Sequence, residues 1–398
     1  MKDVKVKNNV SMLAKIDWEL RHFHGEELST HKGSSYNAFL IQEEKTVLID
    51  TVWKPFAKEF VDALSRKVDL SKIDFIVANH SEVDHSGSFP ELMRHIPDTP
   101  IYCTASCERF MRAQYHQNWN FKTVRTGDKL SVGNGKELVF IEASMLHWPD
   151  TMFTYLTGDN ILFSSDAFGQ HFASEMVWAD KVDYNVMITE ALKYYANIVG
   201  PFGPFVIKKI KEMQALNVPI DIICPDHGVL WRENPLQIVE TYAKWADQYK
   251  ENRIAVLYST MWNGTRIMAE NIAKGIQEAD PTVDVQIINL AHNDKNDVLT
   301  EVFRSKGILL GSATANNNML GEAAAMLCEI KALKFRGKKA AAFGSYGWSG
   351  EAPKLLSEGL KDAGFEVVAD PLRASWQPDE AACAQCREFG ANFAMAFA

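Results

Sequence analysis

The chain has 398 residues, 46% of them hydrophobic and 23% charged, and a formal net charge of −9. This length exceeds the size at which a single hydrophobic core stops growing, so two domains are expected. The acidic balance argues against a nucleic-acid partner, which would need clustered Lys and Arg, and no apolar stretch approaches the roughly 20 residues of a membrane-spanning helix.

The N-terminal sequence and the cysteine content predict the cellular compartment of the protein. No apolar run follows the basic residues at the N-terminus, so export is not indicated. Six cysteines are too sparse for a disulfide scaffold in a chain of this length. We therefore expect a protein of the reducing cytoplasm that does not associate with a membrane.

Short β-strands separated by turns are predicted in the first part of the chain, at residues 37–40, 46–50, 75–79, 101–103, 137–142 and 161–164. Helical patterns intervene at 54–67 and 89–94, the second with Pro90 in its first turn. Several of these strands end at polar residues. The mixture of strands and helices predicts a mixed α/β domain for the first part of the chain.

A repeating strand, loop and helix rhythm begins near Arg253. Its predicted strands are 254–258, 283–290, 307–310, 339–343 and 365–368, with helices such as 266–278 and 352–363 between them. This alternation predicts a doubly wound parallel sheet. A helix over 237–250 precedes it, so we place the domains at 1–250 and 251–398.

Four titratable side chains lie within six residues after the strand that ends at residue 79. They are His80, Glu82, Asp84 and His85. If this segment stays extended, alternation puts the first three on one side, and a turn brings His85 beside them. These are too many convergent ligands for one metal ion.

Three further candidates follow apolar strands elsewhere in the first part: His147, Asp166 and His227. Taken singly, a His or Asp at a strand end is more often a cap or a surface group. Together, these residues would be a costly way to build a core, because buried charges need partners. The sequence therefore predicts a two-metal site at a sheet edge.

These residues resemble the ligands of the metallo-β-lactamase fold, whose signature is His-x-His-x-Asp-His followed by isolated His, Asp and His. The resemblance covers about residues 30 to 235. Glu82 stands where the zinc hydrolases of that fold have their second His. A carboxylate adds negative charge and a hard oxygen donor, which favours iron over zinc and redox chemistry over hydrolysis.

Over its whole length the chain resembles the flavodiiron proteins. The resemblance implies that His80, Glu82 and His147 bind one iron. It also implies that Asp84, His85 and His227 bind the second iron and that Asp166 bridges the two. The counterpart of His85 does not bind iron in every family member. The resemblance also places His24 and Tyr195 close to the irons, although their spacing alone would indicate packing residues.

Three loops that follow strands of the second domain mix small residues with hydroxyl, amide and aromatic groups. Hydroxyls and backbone N–H groups at a helix N-terminus can hold a phosphate, and the first loop lacks the Gly-Lys-[Ser/Thr] of a Walker motif. Each loop alone would be an ordinary turn. Together they resemble flavodoxin, which implies FMN bound by Ser259, Thr260, Met261, Trp262, Asn263, Gly264 and Thr265; Ser312, Ala313, Thr314, Ala315, Asn316 and Asn317; and Ser345, Tyr346, Gly347, Trp348, Ser349 and Gly350.

The expected fold is thus an N-terminal metallo-β-lactamase-like αββα domain followed by a C-terminal flavodoxin-like doubly wound sheet. The expected reaction passes electrons through FMN to two irons and reduces nitric oxide to nitrous oxide, dioxygen to water, or both. Family members assemble head to tail, which implies a homodimer or a dimer of dimers with Trp348 close to the partner's irons. The segments 96–104 and 134–136 resemble NO-reducing bacterial members and favour NO.

A rubredoxin or similar carrier is expected as the electron donor. The chain has a single Cys383-x-x-Cys386 pair, in a predicted terminal helix, and one pair cannot form the four-thiolate site of rubredoxin. We interpret this pair, like Cys103 and Cys107, as having no redox role. Two alternatives to the reductase remain open: a binuclear zinc hydrolase with a flavodoxin-like domain, and an electron carrier whose first domain is structural.

Overall fold

The computed structural model describes residues 1–397, and its internal contacts divide the chain into two units. The first unit comprises Met1–Tyr195 and Phe202–Ala246, and the second comprises Ala196–Pro201 and the residues from Asp247 onward. Within residues 1–397, no helix is both long enough and apolar enough to cross a membrane.

Two large β-sheets, a two-stranded sheet of β3 and β4, and helices build the first unit. Its strands are β1 (Lys2–Lys7), β2 (Val10–Asp17), β3 (His22–Phe23), β4 (Leu28–Ser29), β5 (Ser34–Gln42), β6 (Thr46–Ile49), β7 (Ile73–Val77), β8 (Ile101–Cys103), β9 (Phe121–Thr123), β10 (Lys129–Gly133), β11 (Lys136–Glu142), β12 (Met152–Leu156), β13 (Ile161–Ser165) and β14 (Ile222–Pro225). Its helices are α1 (Ala57–Lys67), α2 (Val83–Ser86), α3 (Phe89–Leu92), α4 (Ala105–Tyr115), α5 (Tyr184–Tyr194), α6 (Gly203–Leu216) and α7 (Leu236–Ala246).

The larger sheet has the order β1-β2-β5-β6-β7-β8-β9, and the smaller has the order β10-β11-β12-β13-β14. Alternate residues of both sheets share one core cluster, which includes Val47 and Ile49 of β6 and Phe163 of β13. Such alternation buries one face of each sheet, so the two sheets pack face to face. Amphipathic helices such as α1 bury Phe60 and Leu64 and complete the expected αββα fold.

A parallel sheet forms the centre of the second unit. The strands of this unit are β15 (Glu251–Ser259), β16 (Asp284–Asn289), β17 (Ser305–Ser312), β18 (Thr314–Ala315), β19 (Asn318–Met319), β20 (Lys339–Tyr346), β21 (Glu366–Val367) and β22 (Leu372–Ser375), of which β18 and β19 form a separate antiparallel pair. Its helices are α8 (Gly264–Ala279), α9 (Lys295–Arg304), α10 (Gly321–Leu333), α11 (Ala352–Asp362) and α12 (Glu380–Met395). The sheet order is β16-β15-β17-β20-β21, with β22 also paired to β20, and these pairings are parallel. The doubly wound sheet is confirmed.

Two local predictions were wrong. Helix α7 ends at Ala246 instead of residue 250, because Gln248 adopts a left-handed backbone conformation with φ 48° that a helix cannot include. Strand β22 was missed because it is four residues long with mostly exposed side chains, so it lacks the apolar run that marks the other strands.

Candidate metal centre and flavin site

The segment that carries the first four candidate ligands is not extended. Strand β7 ends at Val77, and α2 (Val83–Ser86) forms one helical turn, so Asp84 and His85 lie on a helix. The Ser86 hydroxyl closes this turn by contacting the carbonyl oxygens of Ser81 and Glu82 at 2.7 and 2.8 Å. The prediction that alternation aligns three ligands was therefore wrong, yet the turn still brings the four side chains together.

Four of the predicted ligands form a first group, in which ligand atoms lie within 4.8 Å of one another: His80, Glu82, His147 and Asp166. Oε2 of Glu82 lies 3.2 Å from Nε2 of His80 and 3.3 Å from Nε2 of His147. Oδ2 of Asp166 lies 3.4 and 3.2 Å from the same two nitrogens. All four residues are buried.

The second group consists of Asp84, His85 and His227. Oδ2 of Asp84 lies 3.1 Å from Nε2 of His85 and 3.0 Å from Nε2 of His227. Oδ1 of Asp166 lies 2.9 and 3.3 Å from these nitrogens. The two oxygens of Asp166 therefore face different groups, which is the geometry of a bridging carboxylate.

Sequence reasoning missed the residues that orient these ligands. Oδ2 of Asp150 lies 3.2 Å from Nδ1 of His80, and Nδ1 of His227 lies 2.7 Å from the Ser35 carbonyl oxygen. Partners of this kind fix the ring and tautomer of a metal-ligating His. Oδ2 of Asp226 lies 3.7 Å from Nδ1 of His85, which is too far for a hydrogen bond. The only sequence signal of Asp150 is that it is close to a ligand along the chain.

His24 lies beside Glu82 of the first group. Its Nε2 is 2.7 Å from Oε1 of Glu82, and its side chain is 33% exposed. Burial alone would lower the pKa of His24, but the hydrogen bond to Glu82 and the nearby negative charge raise it above its ordinary value. His24 therefore connects Glu82 to the surface of the unit.

Tyr195 does not take the place expected of it. Its ring packs against Tyr242 and Trp245, with centroids 4.9 and 5.3 Å away. The preceding residue, Tyr194, is the tyrosine that faces the metal-ligand candidates, with its ring 6.2 Å from that of His227. Helix α5 ends at Tyr194 and a π-helical turn begins at Tyr195, so the two neighbours point to different surroundings.

The side chains fit two metal ions. Both oxygens of Asp84, together with Oδ2 of Asp166, are buried without a hydrogen-bond partner, which is costly unless a cation is bound there. Burial would raise the pKa of Asp166, but the surrounding imidazoles, His85 foremost, hold it well below its usual range. Carboxylate and imidazole donors without thiolate suit iron.

The three flavin loops converge in the second unit, where they follow the adjacent strands β15, β17 and β20. They line one cavity of about 600 Å³, within the range of ~300–1,000 Å³ typical of cofactor sites. Lining residues from these loops are Met261, Trp262, Gly264, Ala313, Thr314, Ala315, Asn316, Ser345, Tyr346, Gly347 and Trp348.

Two residues of the cavity wall were missed, Trp376 and Gln377, which follow the unpredicted strand β22. Two residues predicted to bind FMN, Ser312 and Asn317, instead form hydrogen bonds with other residues of the protein. The Ser312 hydroxyl donates to the Ala313 carbonyl at 2.8 Å, and the Asn317 amide donates to Glu351 at 3.0 Å.

A phosphate fits at the start of α8. The hydroxyls of Ser259 and Thr260 are buried there without a hydrogen-bond partner. Asn263 has a left-handed φ of 65° and α8 begins at the next residue, so backbone N–H groups of the first turn can also donate. Thr265 instead contacts the Ser345 hydroxyl at 2.8 Å and joins two of the loops.

The fold and its two sites define a two-domain flavoprotein with a binuclear metal centre. Two family models match the chain, the ODP family beta lactamase over residues 34–228 and flavodoxin over residues 256–390. An anaerobic nitric oxide reductase flavorubredoxin of Escherichia coli (strain K12 / DH10B) is 52% identical over 396 residues, which are 99% of this chain and 82% of the relative.

Solved structures agree with these matches over nearly the whole chain. The rubredoxin oxygen:oxidoreductase of Desulfovibrio gigas has a TM-score of 0.96 at 32% identity, covering 99% of this chain and 98% of its own. The flavodiiron protein of Giardia intestinalis has a TM-score of 0.93 at 30% identity, covering 100% and 98%. The chain belongs to the flavodiiron protein family.

Membership of this family implies the cofactors of the chain. The chain is an oxidoreductase whose cofactors are FMN and two iron ions, as expected from the sequence. The alternative of a zinc hydrolase is not supported, because the flavodiiron likeness spans both units.

Proposed function

We propose that this chain reduces nitric oxide to nitrous oxide at the two side-chain groups joined by Asp166, and that dioxygen reduction is a second reaction of the same centre. The relative at 52% identity is named a nitric oxide reductase, whereas the structure at 32% identity is named for oxygen. The observation that carries the proposal is the position of Asp166, whose two oxygens face different groups.

The distances support the proposed ligands. One iron would be held by His80, Glu82 and His147 and the other by Asp84, His85 and His227, and Asp166 would contribute to both. For His85, support comes from its Nε2, which lies 3.1 Å from Asp84 and 2.9 Å from Asp166, within the second group. A side chain turned away from the centre would not make these contacts.

When bound, FMN and the two irons supply the electrons that gas reduction needs, two for a pair of NO molecules and four for one O2. The protein supplies position and charge. The buried carboxylates of Glu82, Asp84 and Asp166 balance the charge of two cations in a site that water does not screen. His24 holds a proton at Nε2 toward Oε1 of Glu82 and fixes the orientation of that carboxylate.

We further propose a rubredoxin or similar carrier as the electron donor and a head-to-tail dimer as the working unit. The names of both relatives above include rubredoxin, which supports the donor. Trp348 lines the flavin cavity and is 88% exposed, so a partner subunit could cover it. All six cysteines are free thiols, which supports the cytoplasm as the compartment.

Steady-state kinetics with reduced rubredoxin test this function, with either NO or O2 added to an anaerobic reaction. Protein with iron and FMN counted per chain should consume NO and form N2O, with a higher kcat/KM for NO than for O2. Consumption of neither gas would overturn the proposal, and a higher kcat/KM for O2 would reverse the substrate assignment. Glu82→Ala should abolish gas consumption, and Glu26→Ala, which alters an exposed carboxylate, is the matched control.

A further inference from the structure

A second cavity, of about 270 Å³, lies in the first unit between helices α6 and α7 and the outer face of the smaller sheet. Its inner wall is formed by Leu146, Phe153, Leu162 and Phe168, each no more than 4% exposed. The exposed polar residues Gln214, Asn217 and Glu240 also line it, and they mark its mouth. The inner end of the cavity is therefore apolar, and the outer end meets solvent.

Two residues of the inner wall, Leu146 and Phe168, lie on loops that also carry proposed metal ligands. Leu146 directly precedes His147, and Phe168 follows Asp166 by two residues. The turn between Asp166 and Phe168 is held by a hydrogen bond from the Gly169 N–H to the Asp166 carbonyl at 3.1 Å. A molecule at the inner end thus lies against one residue adjacent in the chain to a proposed ligand, Leu146, and one residue two positions from another, Phe168.

Phe168 is held in place at some conformational cost. Its φ of 71° is left-handed, a conformation that is strained for a bulky side chain. The Trp231 indole N–H donates to its carbonyl at 3.1 Å, and its ring packs 4.8 Å from that of Tyr242. Because strain of this kind persists only where surrounding contacts impose it, the position of this ring is well determined.

The size and lining of the cavity select its occupant. Apolar cavities hold apolar guests such as xenon in preference to water. A volume of 270 Å³ is below the roughly 300–1,000 Å³ of pockets for drug-sized ligands, so a small guest is favoured. Among molecules tied to the chemistry of this centre, NO and O2 are small and weakly polar.

We propose that this cavity collects a dissolved diatomic gas, NO or O2, next to Leu146 and Phe168, whose loops carry two of the proposed metal ligands. The inference rests on the proposed gas-reductase function and adds a route of substrate entry to it. The gas moves from water into the apolar end of the cavity, which raises its concentration next to Leu146 and Phe168. No covalent step occurs in the cavity.

Xenon is the direct probe. Crystals of the iron- and FMN-loaded protein under xenon pressure should show a xenon atom against Phe153 and Phe168. Val206 of α6 also lines the cavity and is fully buried. Val206→Phe should fill the cavity, exclude xenon and lower kcat/KM for the gas by about fivefold with kcat unchanged, because access and not chemistry is impaired.

The matched variant Val206→Ala keeps the cavity open and should retain xenon and the wild-type kcat/KM. If Val206→Phe does not fold, xenon pressure on the wild-type enzyme provides the second measurement, and it should raise KM for the gas. If xenon does not change the turnover of the wild-type enzyme and Val206→Phe turns over like the wild type, the cavity proposal is overturned and the proposed function still stands. Wild-type protein that consumes neither gas would instead overturn the function.

Discussion

Nε2 of His24 lies 2.7 Å from Oε1 of Glu82, while the other oxygen of that carboxylate, Oε2, faces His80 and His147 at 3.2 and 3.3 Å. One carboxylate thus receives a hydrogen bond on one oxygen and offers the other to the first metal position. The His24 hydrogen bond draws electron density away from Glu82 and tunes the group that sets this family member apart from zinc hydrolases.

His24→Ala should therefore lower the reduction potential of the centre. Without the hydrogen bond, Glu82 donates more charge and stabilises the ferric state, by on the order of tens of millivolts. A redox titration followed by electron paramagnetic resonance measures the shift. His22→Ala is the control, because His22 lies two residues before His24 in the chain and is exposed. An unchanged potential with iron fully bound would contradict this role.

Glu82→His should change the metal preference. The substitution restores the second His of the zinc-hydrolase signature and replaces an oxygen donor with a neutral nitrogen. After reconstitution with equal iron and zinc, we expect the ratio of bound zinc to iron to rise and gas reduction to be lost. Metal analysis by mass spectrometry gives the ratio, with Glu26→His as the surface control. A variant that binds metals as the wild type does would show that Glu82 does not select iron.

Iron binding should weaken as the pH falls. Burial alone would lower the pKa of His147, but its hydrogen bonds to Asp166 and Glu82 raise it to about 9 in the absence of metal. Iron must displace this proton below about pH 9, so the affinity should fall by up to about tenfold per pH unit for each proton released. Competition with a chelator under anaerobic conditions measures it. Equal affinity at pH 6 and pH 8 would contradict the placement of His147 as a ligand.

Lys338→Met should destabilise the second unit. The Lys338 ammonium is buried and donates to the carbonyl oxygens of Tyr249, Phe303 and Ser305 at 2.7 to 2.8 Å. Its loss leaves buried acceptors unpaired, at a cost of about 1–3 kcal/mol for each acceptor that water does not reach. Urea unfolding followed by circular dichroism measures the free energy. Lys331→Met, at an exposed lysine, should unfold like the wild type.

The fold and most of the candidate metal centre could be predicted because the sequence patterns that mark them are local. Seven titratable side chains that follow predicted strands are visible as a pattern, and the parallel sheet of the second unit follows from alternating strands and helices. The residues that orient the ligands are different. Asp150 looks like an ordinary loop carboxylate until the fold brings it to His80.

The errors have a common physical origin. Whether Tyr194 or Tyr195 faces the centre depends on where α5 gives way to a π-helical turn, and no residue pattern marks that change. Trp376 reaches the flavin cavity only because the short strand β22 pairs with β20. Both features depend on tertiary contacts that a local pattern does not contain.

The most direct test of the account is anomalous diffraction at the iron absorption edge from crystals of the reconstituted protein. We expect two iron peaks on either side of Asp166, one at His80, Glu82 and His147 and the other at Asp84, His85 and His227. A single iron peak would contradict the proposed binuclear centre, and a second peak without His85 among its ligands would contradict the proposed ligand set.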